Sequence, residues 1–347
     1  MEYKLLSVSK NIKLKKINIG DYIQALASSQ YYPHIDDFLD RDEDLKDYDN
    51  KPCKVIMNGW YMHNPDNWPP SKKIIPLFVA FHLNILAEKE LTSKKSIEYL
   101  KLHEPIGCRD KRTMELLREY GVNAYFSGCM TLTLGKKYYN EKKEDKTYIV
   151  DPPFDVKFNH KLIIMALLHF IKYPIDVIKL THIKNLSFLS GRIFFKKILK
   201  ASLYHKEYSR IFSRNIIMDS IYICQESEDY IKNFPTDFDR LKEAEKLVKQ
   251  YAKAKLVITS RIHCALPCLG LETPVIYLER KQDSEASTCR LDGLRELFNI
   301  VEIENGKLKP TFKINLPINK ENKPTNKNTW RALANKLDRI CESFMRY

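Results

Sequence analysis

Short apolar runs alternate along the chain with longer stretches in which apolar residues recur every three or four positions. The runs predict buried strands, and the clearest are YKLLSVS, IIPLFVAFHL, TYIVDPP, KLVITS and TPVIYLE. The longer stretches predict amphipathic helices, and the clearest are GDYIQALASSQYY, RDKRTMELLREYG and DFDRLKEAEKLVKQYAKA. Strands that alternate with helices predict an α/β fold with a largely parallel sheet.

A charged stretch without periodicity, NEKKEDK at residues 140–146, separates two such series. It predicts a boundary between an N-terminal α/β domain at 1–145 and a second one at 146–325. The tail, NTWRALANKLDRICESFM, predicts a final amphipathic helix within 326–347. We expect the two domains to face each other across a cleft.

The chain is basic, with 58 Lys and Arg against 44 Asp and Glu, a formal charge of +14. Such an excess suits anionic partners, among them nucleic acid, acidic lipid and phosphorylated metabolites. The basic residues are scattered and no nucleic-acid-binding motif accompanies them, so the pattern does not favour a nucleic-acid partner.

The eight cysteines form no CxxC pair. Cys264 and Cys268 are four residues apart beside His263, but buried free cysteine is commoner than a metal ligand, so no metal site is predicted. The N-terminus lacks the apolar core of a secretory signal, and no window approaches the length of a membrane span. A cytoplasmic location is expected.

Two stretches leave contact with a membrane open. HKLIIMALLHFIKYPIDVIKL (His160–Leu180) is apolar between lysines, and SGRIFFKKILKASLYHKEYSRIF (Ser190–Phe212) mixes aromatic and basic residues at helical spacing. Together they suit an acidic membrane surface, which would place the protein peripherally at the inner face of the cell membrane. The first stretch equally suits a core helix of the second domain.

Polar residues follow several predicted strands. In open parallel sheets, ligands bind at this position, beyond the carboxyl ends of the strands. These polar positions are Asn18, Gly20 and Asp21; Asn58, Gly59 and Trp60; Arg109 and Asp110; and Thr259, Ser260, Arg261 and His263. Simpler roles remain open for several of them: Asp21 as a helix cap, Asn58-Gly59 as a turn, and Arg109-Asp110 as a surface turn and cap.

The TSRIHC stretch is the most informative. Thr259 or Ser260 suits the helix N-cap, which puts Arg261 in the first turn, where the helix dipole disfavours a cation. An anion at that helix end would use both the free N–H groups and the guanidinium. His263 can donate to the same anion or transfer a proton beside it.

Four blocks in order resemble the polysaccharide pyruvyl transferase family: NIGDYIQALA, NGWYMHNPDNWPP, PIGCRDKRTMELLREYGVNAYFSGCMTLTL and KLVITSRIHCALPCLGLETPVIYLE. The resemblance implies two Rossmann-like domains with the site between them, as in glycosyltransferase-B folds. It implies phosphoenolpyruvate as co-substrate, a sugar diol of a bacterial capsule or exopolysaccharide precursor as acceptor, and a pyruvate ketal as product. It also implies phosphoenolpyruvate binding by Arg109 and Arg261 and an essential role for His263.

These residue types suit that reaction. Two arginines can hold the phosphate and carboxylate of the donor, and His263 can deliver a proton to its methylene carbon. Asp21 or Asp110 can assist an acceptor hydroxyl, and neither metal nor cofactor is required. The N-terminal domain is expected on the acceptor side and the RIH-bearing domain on the donor side. No role is transferred to Gly128–Met130, because many members carry an acidic residue and a proline there.

Two other functions stay open: a nucleotide-sugar-dependent glycosyltransferase of the same architecture, and a non-catalytic glycan-binding protein. The acceptor sugar, its hydroxyl pair, any lipid linkage and the oligomeric state are not specified by the sequence.

Overall fold

Strands that are buried on both faces form the centre of the molecule. The computed structural model describes residues 1–10, 15–61, 63–281, 283–284 and 288–346. Over these residues the chain is a mixed α/β protein whose strands pair mainly in parallel, which confirms the predicted α/β class with largely parallel sheets. Helices cover both faces of such sheets, so a central strand such as LVIT (Leu256–Thr259) is apolar and buried throughout.

The N-terminal half begins with a strand and its following helix. In chain order its elements are β1 (Glu2–Ser7), β2 (Ile17–Asn18), α1 (Ile19–Ser29), β3 (Asp37–Asp40), β4 (Cys53–Ile56), β5 (Trp60–Tyr61), β6 (Ile74–Leu77), β7 (His82–Leu83), α2 (Glu88–Leu91), α3 (Lys94–Leu102), β8 (Ile106–Cys108), α4 (Lys111–Glu119), β9 (Ala124–Phe126) and α5 (Gly135–Tyr138). Short 3₁₀ helices lie at Pro65–Asn67, Ile85–Ala87 and Met130–Leu134.

Four of these strands form one parallel sheet in the order β3-β1-β4-β6. β5 pairs with β7, and β8 pairs with β9, each in parallel. The apolar run IIPLFVAFHL was predicted as a single strand, and this was wrong. The backbone turns between β6 and β7, where Ala80 has a φ of 52°, so β7 leaves the sheet and pairs with β5.

The C-terminal half carries the larger sheet. Its elements are β10 (Thr147–Val150), α6 (His160–Lys172), α7 (Pro174–Thr181), α8 (Phe194–Tyr208), α9 (Arg214–Asp219), β11 (Ile221–Ile223), β12 (Glu226–Ser227), α10 (Asp229–Lys232), α11 (Asp237–Lys253), β13 (Leu256–Thr259), α12 (Ile262–Gly270), β14 (Val275–Arg280), β15 (Asn299–Glu304), β16 (Lys307–Pro310) and α13 (Trp330–Arg346). Short 3₁₀ helices lie at Ser187–Leu189, Cys289–Leu291 and Arg295–Leu297.

Six strands form this sheet in the order β11-β10-β13-β14-β15-β16, and only the β15–β16 pair is antiparallel among the described strands of the sheet. In α13, Trp330, Ala334, Leu337 and Cys341 are buried at helical spacing. No helix in the described ranges is long and apolar enough to cross a bilayer.

The two halves share one hydrophobic core. Its members include Tyr22 and Ile23 of α1, Leu132 of the 3₁₀ helix Met130–Leu134, and Leu247 and Leu266 of the C-terminal half. Helix α1 packs along α11, where the Tyr22 hydroxyl donates to Asp237 at 2.5 Å. Residues 140–146, which were predicted to link two domains, are irregular, and the boundary near residue 145 stays a prediction.

At Gly270 the backbone of the C-terminal half lies directly against the backbone of the N-terminal half, with no side chain between them. A β-carbon built on Gly270 would lie 2.3 Å from the carbonyl oxygen of Leu132, and one built on Gly135 would lie 2.1 Å from the carbonyl oxygen of Gly270. The small-residue end of α12 thus packs directly on the 130–135 segment of the other half.

Gly270→Ala should therefore lower the free energy of unfolding by about 3 kcal/mol, because the added methyl group meets a backbone oxygen that has no side chain to move aside. Urea denaturation monitored by circular dichroism measures this. Gly191→Ala is the matched control, because a β-carbon built on Gly191 has nothing within 4 Å. Its only expected cost, about 1 kcal/mol, comes from the φ of 67°, which alanine disfavours. Equal losses in the two variants would contradict the packing argument.

Candidate active site

The corner that begins α1 is held by Asn18. Its side-chain oxygen accepts a hydrogen bond from the Gly20 N–H at 3.0 Å, so Asn18 is the N-cap. The simpler role left open for Asp21, that of helix cap, is excluded, because Asn18 has the extended backbone and the side-chain hydrogen bond of the cap. Asp21 lies in the first turn, where its carboxylate accepts from the Arg41 guanidinium at 3.2 Å.

Gly20 touches His263 across the two halves. A β-carbon built on Gly20 would lie 3.0 Å from Cβ and 3.4 Å from Nδ1 of His263. The N-terminal end of α1 and the N-terminal end of α12 therefore meet at this point. The structure thus brings together residues of the first and fourth sequence blocks.

Arg109 is enclosed and has no hydrogen-bond partner among the described residues. Arg109 directly follows β8 and is 1% exposed. None of its three guanidinium nitrogens has a hydrogen-bond acceptor in the described part of the chain. Burial lowers the pKa of this guanidinium, and the charges of Arg290 and Arg41 lower it further, although Asp110 opposes this change. Burying a cation without a partner is costly, so the arrangement indicates a site for an anion.

His263 lies within the same basic surroundings. It is 8% exposed, its Nε2 is enclosed without a partner in the described structure, and its backbone (φ −83°, ψ 16°) departs from the helix around it. Burial holds the pKa of His263 well below its usual value of 6.5, and the charges of Arg109, Arg290, Arg41 and Arg261 lower it further. The imidazole is therefore neutral at pH 7 in the free protein.

Asp110 caps α4 and binds a histidine. One carboxylate oxygen accepts from the Thr113 N–H at 2.8 Å, and the other lies 2.6 Å from Nδ1 of His82. Both groups are buried. Burial and the charge of Arg109 lower the pKa of His82 to about 4, although Asp110 opposes this change. Neutral His82 therefore directs Nδ1–H to the carboxylate and leaves Nε2 as an acceptor.

The residues after β4 complete the N-terminal side of the site. Asn58 is buried and its amide donates to the Gln24 carbonyl at 3.0 Å, which fixes this corner against α1. A β-carbon on Gly59 would lie 3.5 Å from Cδ of Arg41. The Trp60 ring packs beside His82, and the guanidinium of Arg290 lies 5.5 Å from the centre of the Trp60 ring.

Arg261 differs from its prediction, because it is already paired. Its Nε lies 2.7 Å from Asp151 and its Nη2 lies 3.0 Å from Glu226. Burial opposes its charge, but these two carboxylates outweigh burial and raise the pKa of the guanidinium. Arg261 therefore has protein anions at the place where the sequence predicted a ligand.

The predicted cap of α12 was also wrong. Arg261 itself is the N-cap residue, with an extended backbone and no side-chain cap. Thr259 accepts the Arg261 N–H at 3.0 Å, and Ser260 donates to the Asp151 carbonyl at 2.6 Å. Both hydroxyls therefore shape the turn before the helix rather than satisfy its first free N–H groups.

A cavity of about 400 Å³ opens beside Arg261 in the C-terminal half. Ser260 and Arg261 are the predicted residues in its lining, whereas Arg109 and His263 are not. Arg290 connects the two regions, because it lines the cavity and also lies over Trp60. The remaining lining is mixed, with carboxylates, cations and the rings of Phe154, Phe188 and Tyr277.

Two residues of this region were not predicted from the sequence: Arg41 and His82. Arg41-Asp42 follows β3 as Arg109-Asp110 follows β8, and that repeated Arg-Asp pair was an available signal. His82 lies in an apolar run that masked it. Arg290 follows the last strand of the TPVIYLE block, and a place in the cleft was left open for it on that ground; it does line the cavity.

The described residues contain no group of three or more His, Cys, Asp or Glu side chains arranged to hold a metal ion. Cys264 and Cys268 are both buried in the hydrophobic core, which is the packing role expected for them.

A family model for polysaccharide pyruvyl transferases matches residues 18–282. The chain belongs to the polysaccharide pyruvyl transferase family. The match includes every predicted site residue, from Asn18 to His263, and confirms the resemblance found in the sequence. No match was found among the curated proteins or the solved structures. A polysaccharide pyruvyl transferase is a transferase with a saccharide acceptor, and this much of the function follows from the family.

Arg109→Met should raise the free energy of unfolding by about 1 kcal/mol or more, because it removes a buried unpaired cation and keeps most of the volume. Phosphate should stabilise the wild-type protein but not this variant. Thermal melts with and without phosphate measure both effects. Arg240→Met is the contrast, since buried Arg240 is paired with Asp237 and its loss should cost about 3–5 kcal/mol. A comparable loss for Arg109→Met would rule out an unpaired cation at that position.

Proposed function

We propose that this pyruvyl transferase moves the enolpyruvyl group of phosphoenolpyruvate onto two hydroxyls of a sugar, which forms a cyclic ketal and releases inorganic phosphate. The buried, unpartnered guanidinium of Arg109, whose charge acts on neutral His263, is the observation that carries the proposal. Such a pair suits a small, strongly anionic substrate whose reaction requires a proton. Family membership supplies the pyruvyl group and the saccharide acceptor.

The donor is expected near His263. The charges of Arg109, Arg290 and Arg41 all act on this imidazole, although the three arginines come from different parts of the chain. Arg109 can form a bidentate hydrogen-bonded pair with a phosphate or a carboxylate. Arg261 is held in place by Asp151 and Glu226. It can therefore offer the donor only the guanidinium N–H groups that these two carboxylates leave unused.

The reaction begins with a proton. When the anionic donor binds, it offsets the arginine charges, and His263 takes up a proton that it can deliver to the methylene carbon. The first sugar hydroxyl then bonds to the adjacent carbon and loses its proton. Cleavage of the carbon–oxygen bond to phosphate follows, and the second hydroxyl closes the ketal. One proton ends on the new methyl group and the other leaves with phosphate.

His82 and Asp110 provide a second proton acceptor. The free Nε2 of His82 is the basic atom, and Asp110 orients the ring, so Asp110 acts through His82 rather than on the acceptor. Asp21 is held by Arg41 and is the weaker candidate for that task.

We place the saccharide in the 400 Å³ cavity, whose carboxylates and aromatic rings suit a polyhydroxylated chain. The C-terminal half would then contribute to acceptor binding, beyond the donor role expected of it. A glycosyltransferase-B-like pair of domains, a cytoplasmic reaction and a bacterial surface-polysaccharide precursor, whether free or lipid-linked, complete the proposal.

The decisive experiment incubates the protein with phosphoenolpyruvate and a panel of oligosaccharides, and follows phosphate release and the product by mass spectrometry. A pyruvate ketal formed by wild type and lost in His263→Ala is expected. Calorimetric heat with nucleotide sugars and none with phosphoenolpyruvate would favour a glycosyltransferase instead. Glycan binding without turnover in either protein would favour a binding protein.

Arg109→Ala should weaken phosphoenolpyruvate binding by about 2–5 kcal/mol, because the donor loses a buried charged partner. Isothermal titration calorimetry measures this. Arg112→Ala is the matched control, since Arg112 lies in the same segment and is paired with Glu88. A change below about 0.5 kcal/mol in Arg109→Ala would remove this residue from the donor site.

Donor binding should also be coupled to proton uptake. The pKa of His263 lies well below 6.5 in the free protein, and a bound anion raises it, so binding takes up protons and strengthens as pH falls toward 6. Calorimetry at pH 7.5 in buffers of different ionisation enthalpy gives the proton number. We expect a larger uptake for wild type than for His263→Gln; equal values would show that another group titrates.

A further inference from the structure

Helix α6 is apolar on the side that faces solvent. Ile164, Leu168 and Ile171 are 58%, 63% and 74% exposed, and their spacing puts them on one face of the helix together with Leu167. On the other side Ala166 is buried, and Met165 and Phe170 pack against the core of the C-terminal half. The helix is thus apolar all round, although only one side is covered by protein.

The exposed apolar residues continue beyond α6. After the break at Tyr173–Pro174, Ile175 of α7 is 77% exposed and Ile178 is also exposed, while Val177 and Leu180 are buried. Single exposed apolar residues need no explanation, but a succession of this kind marks an interaction surface. We call the residues Ile164, Leu167, Leu168, Ile171, Ile175 and Ile178 the α6–α7 face.

Positive charge predominates around this face, although three of its lysines pair with carboxylates outside residues 156–206: Lys179 with Asp219, Lys184 with Asp229 and Lys200 with Asp155. From residue 156 to residue 206 the chain has nine lysines and one arginine, and Asp176 is its only acidic residue. Asp176 is buried and bonded to Arg214, so it offers no negative charge to a partner. Lys161 and Lys172 lie at the two ends of α6, exposed and without an ion pair to the described residues.

We propose that the α6–α7 face rests on an anionic lipid bilayer. Apolar side chains enter the boundary between headgroups and acyl chains, while the lysines at the helix ends bind lipid phosphates. The charge disfavours a second copy of this chain as the occupant, because self-association through this face would place like charges together. The proposal does not require a membrane-spanning helix, and none of the described helices is long and apolar enough to be one.

The segment between β10 and β11, which carries the α6–α7 face, also forms part of the cavity wall. Its residues there are Ser187, Phe188 and Lys200. Docking would therefore hold the cavity in a fixed relation to the membrane. The proposal does not depend on the reaction, because binding to lipid can be measured without substrate.

The test is co-sedimentation of the full chain with vesicles. Wild type should bind vesicles of phosphatidylcholine with phosphatidylglycerol at least about tenfold better than vesicles of phosphatidylcholine alone, and less well at high salt. Leu168→Gln/Ile171→Gln/Ile175→Gln should bind anionic vesicles at least about tenfold more weakly. Its matched control, Leu86→Gln/Leu102→Gln/Leu316→Gln, replaces three leucines that are exposed elsewhere and should bind as wild type does.

A second pair of variants tests the charge separately and decides the question if the triple variant does not fold. Lys161→Glu/Lys172→Glu should lose binding to anionic vesicles, while Lys72→Glu/Lys95→Glu, exposed at other places, should retain it. The proposal is overturned if wild type does not bind anionic vesicles, or if both members of either matched pair bind alike. A lipid-independent dimer that the triple glutamine variant dissociates would identify a second copy as the occupant.

Discussion

The contact between Gly270 and the backbone of Leu132 fixes the relation on which the site depends. Because no side chain intervenes, α12 lies directly against the 130–135 segment of the N-terminal half. That placement brings the start of α12 to the start of α1, where His263 touches Gly20. Arg109 and His263 are far apart in the chain, and this close packing allows the charge of Arg109 to lower the pKa of His263.

The site concentrates positive charge where protein folding would avoid it. Arg41 and Arg261 each have carboxylate partners, whereas Arg109 has none among the described residues. The guanidinium is held there by the packing of the surrounding strands and by the cap that Asp110 makes on α4. Such a group reduces stability until an anion arrives, which is the common relation between stability and function at binding sites.

The sequence predicted the parallel α/β fold because buried strands and amphipathic helices have different periodicities. It also located the corners that carry Asn58, Arg109 and His263, since polar residues there follow an apolar run, and the corner at Asn18, since a helical pattern begins directly after it. It could not predict the partners of Arg261, because Asp151 and Glu226 follow other strands. They lie near Arg261 because β10 and β11 are on the same side of β13, in the order β11-β10-β13, which the sequence does not specify. His82 was missed for a related reason: its importance comes from Asp110, which is distant in sequence.

A short backbone link gives the two halves little freedom to separate. β2 pairs with β12 in antiparallel register, with Asn18 opposite Glu226, and the Ile19 N–H donates to the Gln225 carbonyl at 2.8 Å. Asn18 starts α1, and Glu226 binds Arg261. A hinge motion between the halves would break both arrangements at once. Any closure of the two halves around a ligand would therefore have to break this backbone pairing, and the binding energy of the ligand would have to offset that cost.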